Sequence, residues 1–105
     1  MTGDIVPRTR GWQAAVATSD PPVITVTGEI ELGNVDEVPR LGLSEPQGSD
    51  ASVLTLDVEI ATGGLSELAM HWAPIEFRHP LPEPRPSRVR VMWMGIEVAL
   101  LDITV

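Results

Sequence analysis

Cysteine and lysine are both missing from this chain of 105 residues. Without cysteine there can be no disulfide, thiolate zinc site, iron–sulfur cluster or cysteine nucleophile. Without lysine there is no Schiff-base chemistry and no P-loop phosphate cradle. All seven basic residues are Arg, the usage expected of a GC-rich bacterial coding sequence. Long apolar runs are missing too: none approaches the roughly 18 residues that a membrane helix needs. The opening Met-Thr-Gly-Asp-Ile-Val-Pro-Arg carries an early acid, has no apolar run and lacks Gly at position 2. Neither a signal peptide nor a myristoyl anchor is expected from it, so the expected compartment is the cytoplasm.

Positive charge is scarce. Fifteen acidic residues against seven basic ones give a net charge of −8, which argues against nucleic acid or anionic lipid as a partner. The imbalance is uneven along the chain. Residues 1–76 carry a net −9, whereas residues 77–105 carry a net +1. The length suits one domain spanning 1–105, with residues 1–9 as an N-terminal arm, and the 43% hydrophobic content is that of a globular chain.

What the sequence does contain is proline and glycine, ten and nine residues spread throughout, which is hostile to long helices. Between them lie short segments of period-two alternation. In 23–32, Ile24, Val26, Ile30 and Leu32 mark one face, and Val23, Thr25, Thr27, Glu29 and Glu31 the other. Segment 53–60 repeats the pattern, with Leu54, Leu56, Val58 and Ile60 opposite Thr55, Asp57 and Glu59. Near the C-terminus Val89, Val91 and Trp93 alternate with Arg88, Arg90, Met92 and Met94, and Gly95 permits a turn into a last strand. Trp12, Ala14 and Val16 suggest a first strand, and 38–44, holding Pro39 and Gly42, an edge strand. Segment 65–72 fits both periods; with Gly63-Gly64 before it and Pro74 after it, a strand from Leu68 to Phe77 is favoured.

Six or seven strands spaced about 12 residues apart predict an all-β fold, an antiparallel β-sandwich. In strand count and length it resembles the immunoglobulin-like type, although the disulfide signature of that type has no cysteines to appear in. A parallel sheet is not expected, because no gap holds a crossover helix.

Candidate chemistry is sparse. HExxH, GxSxG, GxGxxG, P-loop and EF-hand patterns are all missing. His71 and His79 could serve as base or metal ligand only if brought together, with Glu76 as the nearby carboxylate. Met92 and Met94, with Met70, His71 and Trp72 on a neighbouring strand, would make a soft Cu(I) environment. Glu29, Glu31, Asp57 and Glu59 would gather four carboxylates on one face if their strands pair. The proline-rich 79–86 reads as a stiff connection rather than a docking peptide, since its prolines do not fall at PxxP spacing.

Each of these has a plainer structural explanation, and no cofactor or metal is expected. The reading that remains is a small non-enzymatic binding or assembly module. Its expected contact surface is Arg88, Arg90, Met92 and Met94 on the C-terminal hairpin, facing a protein partner or a second copy. Arg and Met are both enriched at interfaces, and this is the region free of net negative charge. The alternative is a small β-barrel enzyme or ligand-binding protein whose pocket uses His71 and nearby carboxylates.

Overall fold

The computed structural model describes residues 6–64 and 67–104. Among them seven strands form and no helix: β1 (Thr9–Ala17), β2 (Val23–Asn34), β3 (Val38–Leu43), β4 (Val53–Ala61), β5 (Leu68–Pro80), β6 (Arg88–Trp93) and β7 (Ile96–Asp102). They make a three-stranded sheet in the order β1-β2-β5 and a four-stranded sheet in the order β3-β4-β6-β7. The expected β-sandwich is therefore what forms. Leu65, the first member of the alternative helical spacing, lies outside the described residues, and Leu68–Trp72 are strand.

One pairing departs from the expectation. All neighbours run antiparallel except β4 and β6, whose register aligns Val53 with Arg88 and Asp57 with Met92 in parallel. The sequence argument assumed that a parallel pair needs a crossover helix. Here the crossover is a strand: the chain leaves β4, descends through β5 in the opposite sheet, and returns to β6. The immunoglobulin type has two antiparallel sheets, so this order establishes a two-sheet sandwich and not that type.

Alternation decides which side chains are buried. The alternation predicts Ile24, Val26, Ile30, Leu32, Leu54, Leu56, Val58, Ile60, Val89 and Val91 inside, and all are buried except Ile60, near the end of β4, which is only partly so. Phe77, Ile75 and Ala73 of β5 complete the same core. Gly28 lies on this inward face and has a distinct task. Gly11, at φ +68°, and Trp12 together oppose Gly28, making a bulge between the Arg10–Glu29 and Gln13–Thr27 pairs. The Trp12 indole rests on the bare backbone of Gly28, where a Cβ would come within 2.6 Å of Cδ2. Below the bulge, the chain beyond β7 switches sheets. Thr104 N donates to Ala14 O and Val16 N donates to Thr104 O, closing the seam between β1 and β7.

The topology gives the sandwich two distinct ends. At one, here called apical, β2, β4 and β6 finish and β3, β5 and β7 begin, and the lead into β1 arrives there too. At the basal end lie the β1–β2, β3–β4 and β5–β6 connections, including proline-rich residues 81–87, which do link two strands.

Two substitutions check this packing by equilibrium unfolding. Leu56 is fully buried, so Leu56→Ala should cost about 2–5 kcal/mol. Gly28→Ala should cost about 1–3 kcal/mol, because a rigid ring rather than a flexible side-chain tip blocks the added methyl. A loss under about 0.5 kcal/mol at either position, typical of surface sites, would show the core to be wrongly drawn.

Candidate functional site

Eight large hydrophobic side chains stand exposed among the described residues: Val6, Val35, Val38, Leu68, Met70, Met94, Ile96 and Leu100. All but Leu100 belong to the apical end. Val6 precedes β1, Val35 and Val38 flank the β2–β3 turn, Leu68 and Met70 open β5, and Met94 and Ile96 flank the β6–β7 turn. Scattered singly, exposed apolar residues carry no message; here they gather at one end and form an apolar surface. Leu68 is 86%, Met94 82% and Met70 69% exposed, so none of them helps the core.

A pocket of about 400 Å³ opens in the middle of this end. Val6, Pro7, Leu32, Met70 and Trp93 supply its apolar lining, and Arg8, Glu31 and Glu37 its polar walls. The wall is held by a bidentate ion pair, in which Arg8 Nε and Nη2 donate to Glu31 Oε1 and Oε2 at 2.9 and 3.0 Å. Beside it, Arg10 donates to Glu29 at 3.0 Å and lies 3.9 Å from the centre of the Trp72 ring. Glu37 accepts the backbone N–H of Asn34 at 2.9 Å, tightening the β2–β3 turn.

Met94 sits in a conformation that suits it poorly. It has φ +49° and Gly95 has φ +82°, the two successive positive values of a type I′ turn. Asn, Asp or Gly is favoured at Met94's place; an unbranched apolar side chain there is strained and gains no burial.

The structure separates most of the residues singled out from sequence. Arg88, Arg90 and Met92 do share the outer face of the four-stranded sheet, but Met94 lies in the turn rather than beside them. Arg90 donates to Glu97 at 2.9 Å and Arg88 lies 3.7 Å from Asp102, so both guanidiniums have cross-strand partners on β7. His71 and His79 pair with Leu32 and Ile24 on the same side of β5. Eight residues of strand span about 27 Å, too far for a shared ligand. His71 Nδ1 contacts Ala69 O at 3.0 Å, and the His79 ring stacks on Phe77. The four-carboxylate arrangement does not form, because β2 and β4 belong to different sheets; Glu29 and Glu31 lie on one outer face, Asp57 and Glu59 on the other. Met92 and Met70 are likewise on different sheets. Among the described residues no group of three His, Asp or Glu could hold a metal.

Comparison with known proteins brings no relative to bear: no family model, no curated protein and no solved structure matches the chain.

Ion pairing at the pocket wall has a consequence in acid. Glu31 is held below its ordinary carboxylate value, first by the Arg8 hydrogen bonds and then by that guanidinium's charge. At the basal end the Asp50 carboxylate is lowered by the Ser52 hydroxyl and backbone N–H. A depressed folded value gives stability that is present above the unfolded value and lost as pH falls through the folded one. The melting temperature should therefore decline below about pH 4. Glu31→Gln should melt slightly lower at neutral pH and show a shallower acid decline. An unchanged acid limb would show that the pair contributes nothing.

Proposed function

We propose that this protein is a non-enzymatic binding module that engages a protein partner through the apical end of its sandwich. The observation that carries the reading is the gathering of seven exposed apolar side chains at one end of the sandwich, where Val6 and Met70 line one open pocket and Val35 and Val38 a second. A catalytic site would need convergent titratable groups; His71 and His79, the two histidines, lie far apart along β5. The conformation of Met94 supports the same reading. A residue that strains its turn and buries nothing within its own chain is best explained by what it meets outside it.

The hairpin surface read from the sequence enters this proposal through Met94 alone. Arg88, Arg90 and Met92 belong to a sheet face whose charges are matched within the chain. That face is the comparison surface for the test.

A photo-crosslinking side chain placed singly at positions 68, 70, 94 and 96, in cells that make the protein, should give an adduct of one common size. The same group at 92 and 100, on the sheet face, should give none. Adducts from 92 and 100 but not from the apical positions would move the binding surface to the hairpin face. Met94→Asn gives an independent measurement: it should raise stability by about 0.5–1 kcal/mol, relieving the turn, and abolish crosslinking from position 70. Lower stability with crosslinking intact would assign Met94 to the fold instead.

A further inference from the structure

We infer that the partner segment received by the apical end is basic and amphipathic, an apolar anchor flanked by Lys or Arg side chains. This rests on the binding reading above and adds the chemistry of the occupant. The apical loops bring Asp36 and Glu37 from the β2–β3 turn and Glu67 from the approach to β5. Among the described residues, the cation lining the pocket is Arg8, and both arms of its fork are committed to Glu31. Arg40 lines a second hollow at this end with Val35, Asp36 and Val38, and offsets one of these charges. With three carboxylates against that guanidinium, the end presents apolar side chains in a net acidic surround.

That pattern selects among occupants. A second copy docked end to end would bring its own Asp36, Glu37 and Glu67 against these, and like charges across an interface are repulsive. An anionic membrane or nucleic acid meets the same repulsion, reinforced by the net −8 of the whole chain. The arginines on β6, which could have offered a basic surface to the acidic end of a second copy, are paired with Asp102 and Glu97. A basic segment meets no such obstacle. The pocket of about 400 Å³ has room for side chains rather than for a folded element. Its Leu32, Met70 and Trp93 walls accept a leucine, or the methylene stem of a lysine whose ammonium stays at the carboxylate edge.

Three fluorescein-labelled peptides test this by anisotropy with the full chain: Lys-Lys-Leu-Leu-Lys-Lys, Glu-Glu-Leu-Leu-Glu-Glu and Lys-Lys-Ser-Ser-Lys-Lys. The first should bind at low salt and weaken as salt is raised, and each of the others should bind at least about tenfold more weakly. Met70→Ser and the double change Asp36→Lys with Glu37→Lys should each weaken the first peptide by about tenfold or more. Glu83→Lys with Asp50→Lys, the same charge change at the basal end, should not. Circular dichroism and melting verify that each variant is folded, and Met70 is exposed enough to be replaced without loss. Binding of the Glu-flanked leucine peptide, sensitive to Met70→Ser, would overturn the basic partner while leaving the binding end intact. Binding of the lysine peptides that is blind to Met70 or equally sensitive to the basal changes would reduce the effect to bulk charge and overturn the inference. Failure of all three peptides to bind would overturn it as well. A dimer by light scattering that Ile96→Ser dissociates would make a second copy the occupant, and would overturn it too.

Discussion

The bulge at Gly11 and Trp12 sets the arrangement of everything on the three-stranded sheet. In a regular strand Arg8, Arg10, Trp12, Ala14 and Val16, all even-numbered, would share one face, and two guanidiniums would enter the core with the indole. The inserted residue breaks that parity. Below it, Ala14 and Val16 are buried; above it, Arg10 and Arg8 turn outward to Glu29, Glu31 and Trp72. Only glycine takes φ +68° at Gly11 without strain, and only glycine at 28 lets the Trp12 ring lie on the backbone. The indole Nε1 is buried there and has no hydrogen-bond partner among the described residues, which costs about 1–3 kcal/mol. The site tolerates that cost because the ring fills the gap that Gly28 leaves.

The pocket wall follows from the same device. Because Arg8 faces outward, it can grip Glu31 with both nitrogens, and that grip draws Val6 and Pro7 across the apical opening. The Glu31 backbone N–H, donating to Arg8 O at 2.9 Å, fixes the approach from a second side. Each exposed ion pair adds little energy by itself. Their value here is geometric, because they decide where a short apolar segment ends up.

How far this could be read from the residues depends on the range of each interaction. Burial along β2, β4 and β6 was legible because period-two alternation is local, and a one-residue slip would bury Glu29, Glu31, Asp57 or Glu59. The edge position of β3 was legible from Pro39, and the β5 strand from Pro74 with Gly63-Gly64. Strand order was not, since alternation says which face is wet and nothing about which strand lies alongside. The parallel β4–β6 pair belongs to that blind spot. The apical surface was invisible for a related reason: Val6, Val35, the Leu68 and Met70 pair, and Ile96 come from four separate places in the chain. Only the turning of β2 into β3, β4 into β5 and β6 into β7 at one end assembles them. Met94, expected on the strand face with Met92, lies in the turn instead, because the β6–β7 hairpin closes on residues 94 and 95.

The two ends of the sandwich differ in how their loops are held and in what they expose. At the basal end the loops are bound to one another: Gln47 donates to Ser44 O and Thr55 O, and accepts from Thr55 N. Ser52 donates twice to Asp50, and Ser87 N donates to Ser52 O across the β3–β4 and β5–β6 connections. Those loops are tied together by hydrogen bonds, and they expose no large apolar side chain among the described residues. At the apical end Val35 N donates to Glu67 O, and the β2–β3 turn is closed by Glu37 N to Asn34 O and Asn34 N to the Glu37 carboxylate, while large apolar side chains there stay exposed. A fold this small removes only about two-thirds of its surface from water, and an end left apolar lowers its solubility and stability. Replacing Met94 with Asn and Met70 with Ser would remove apolar surface without touching the core. The proposed partner accounts for that surface, because the fold itself gains nothing by keeping it apolar.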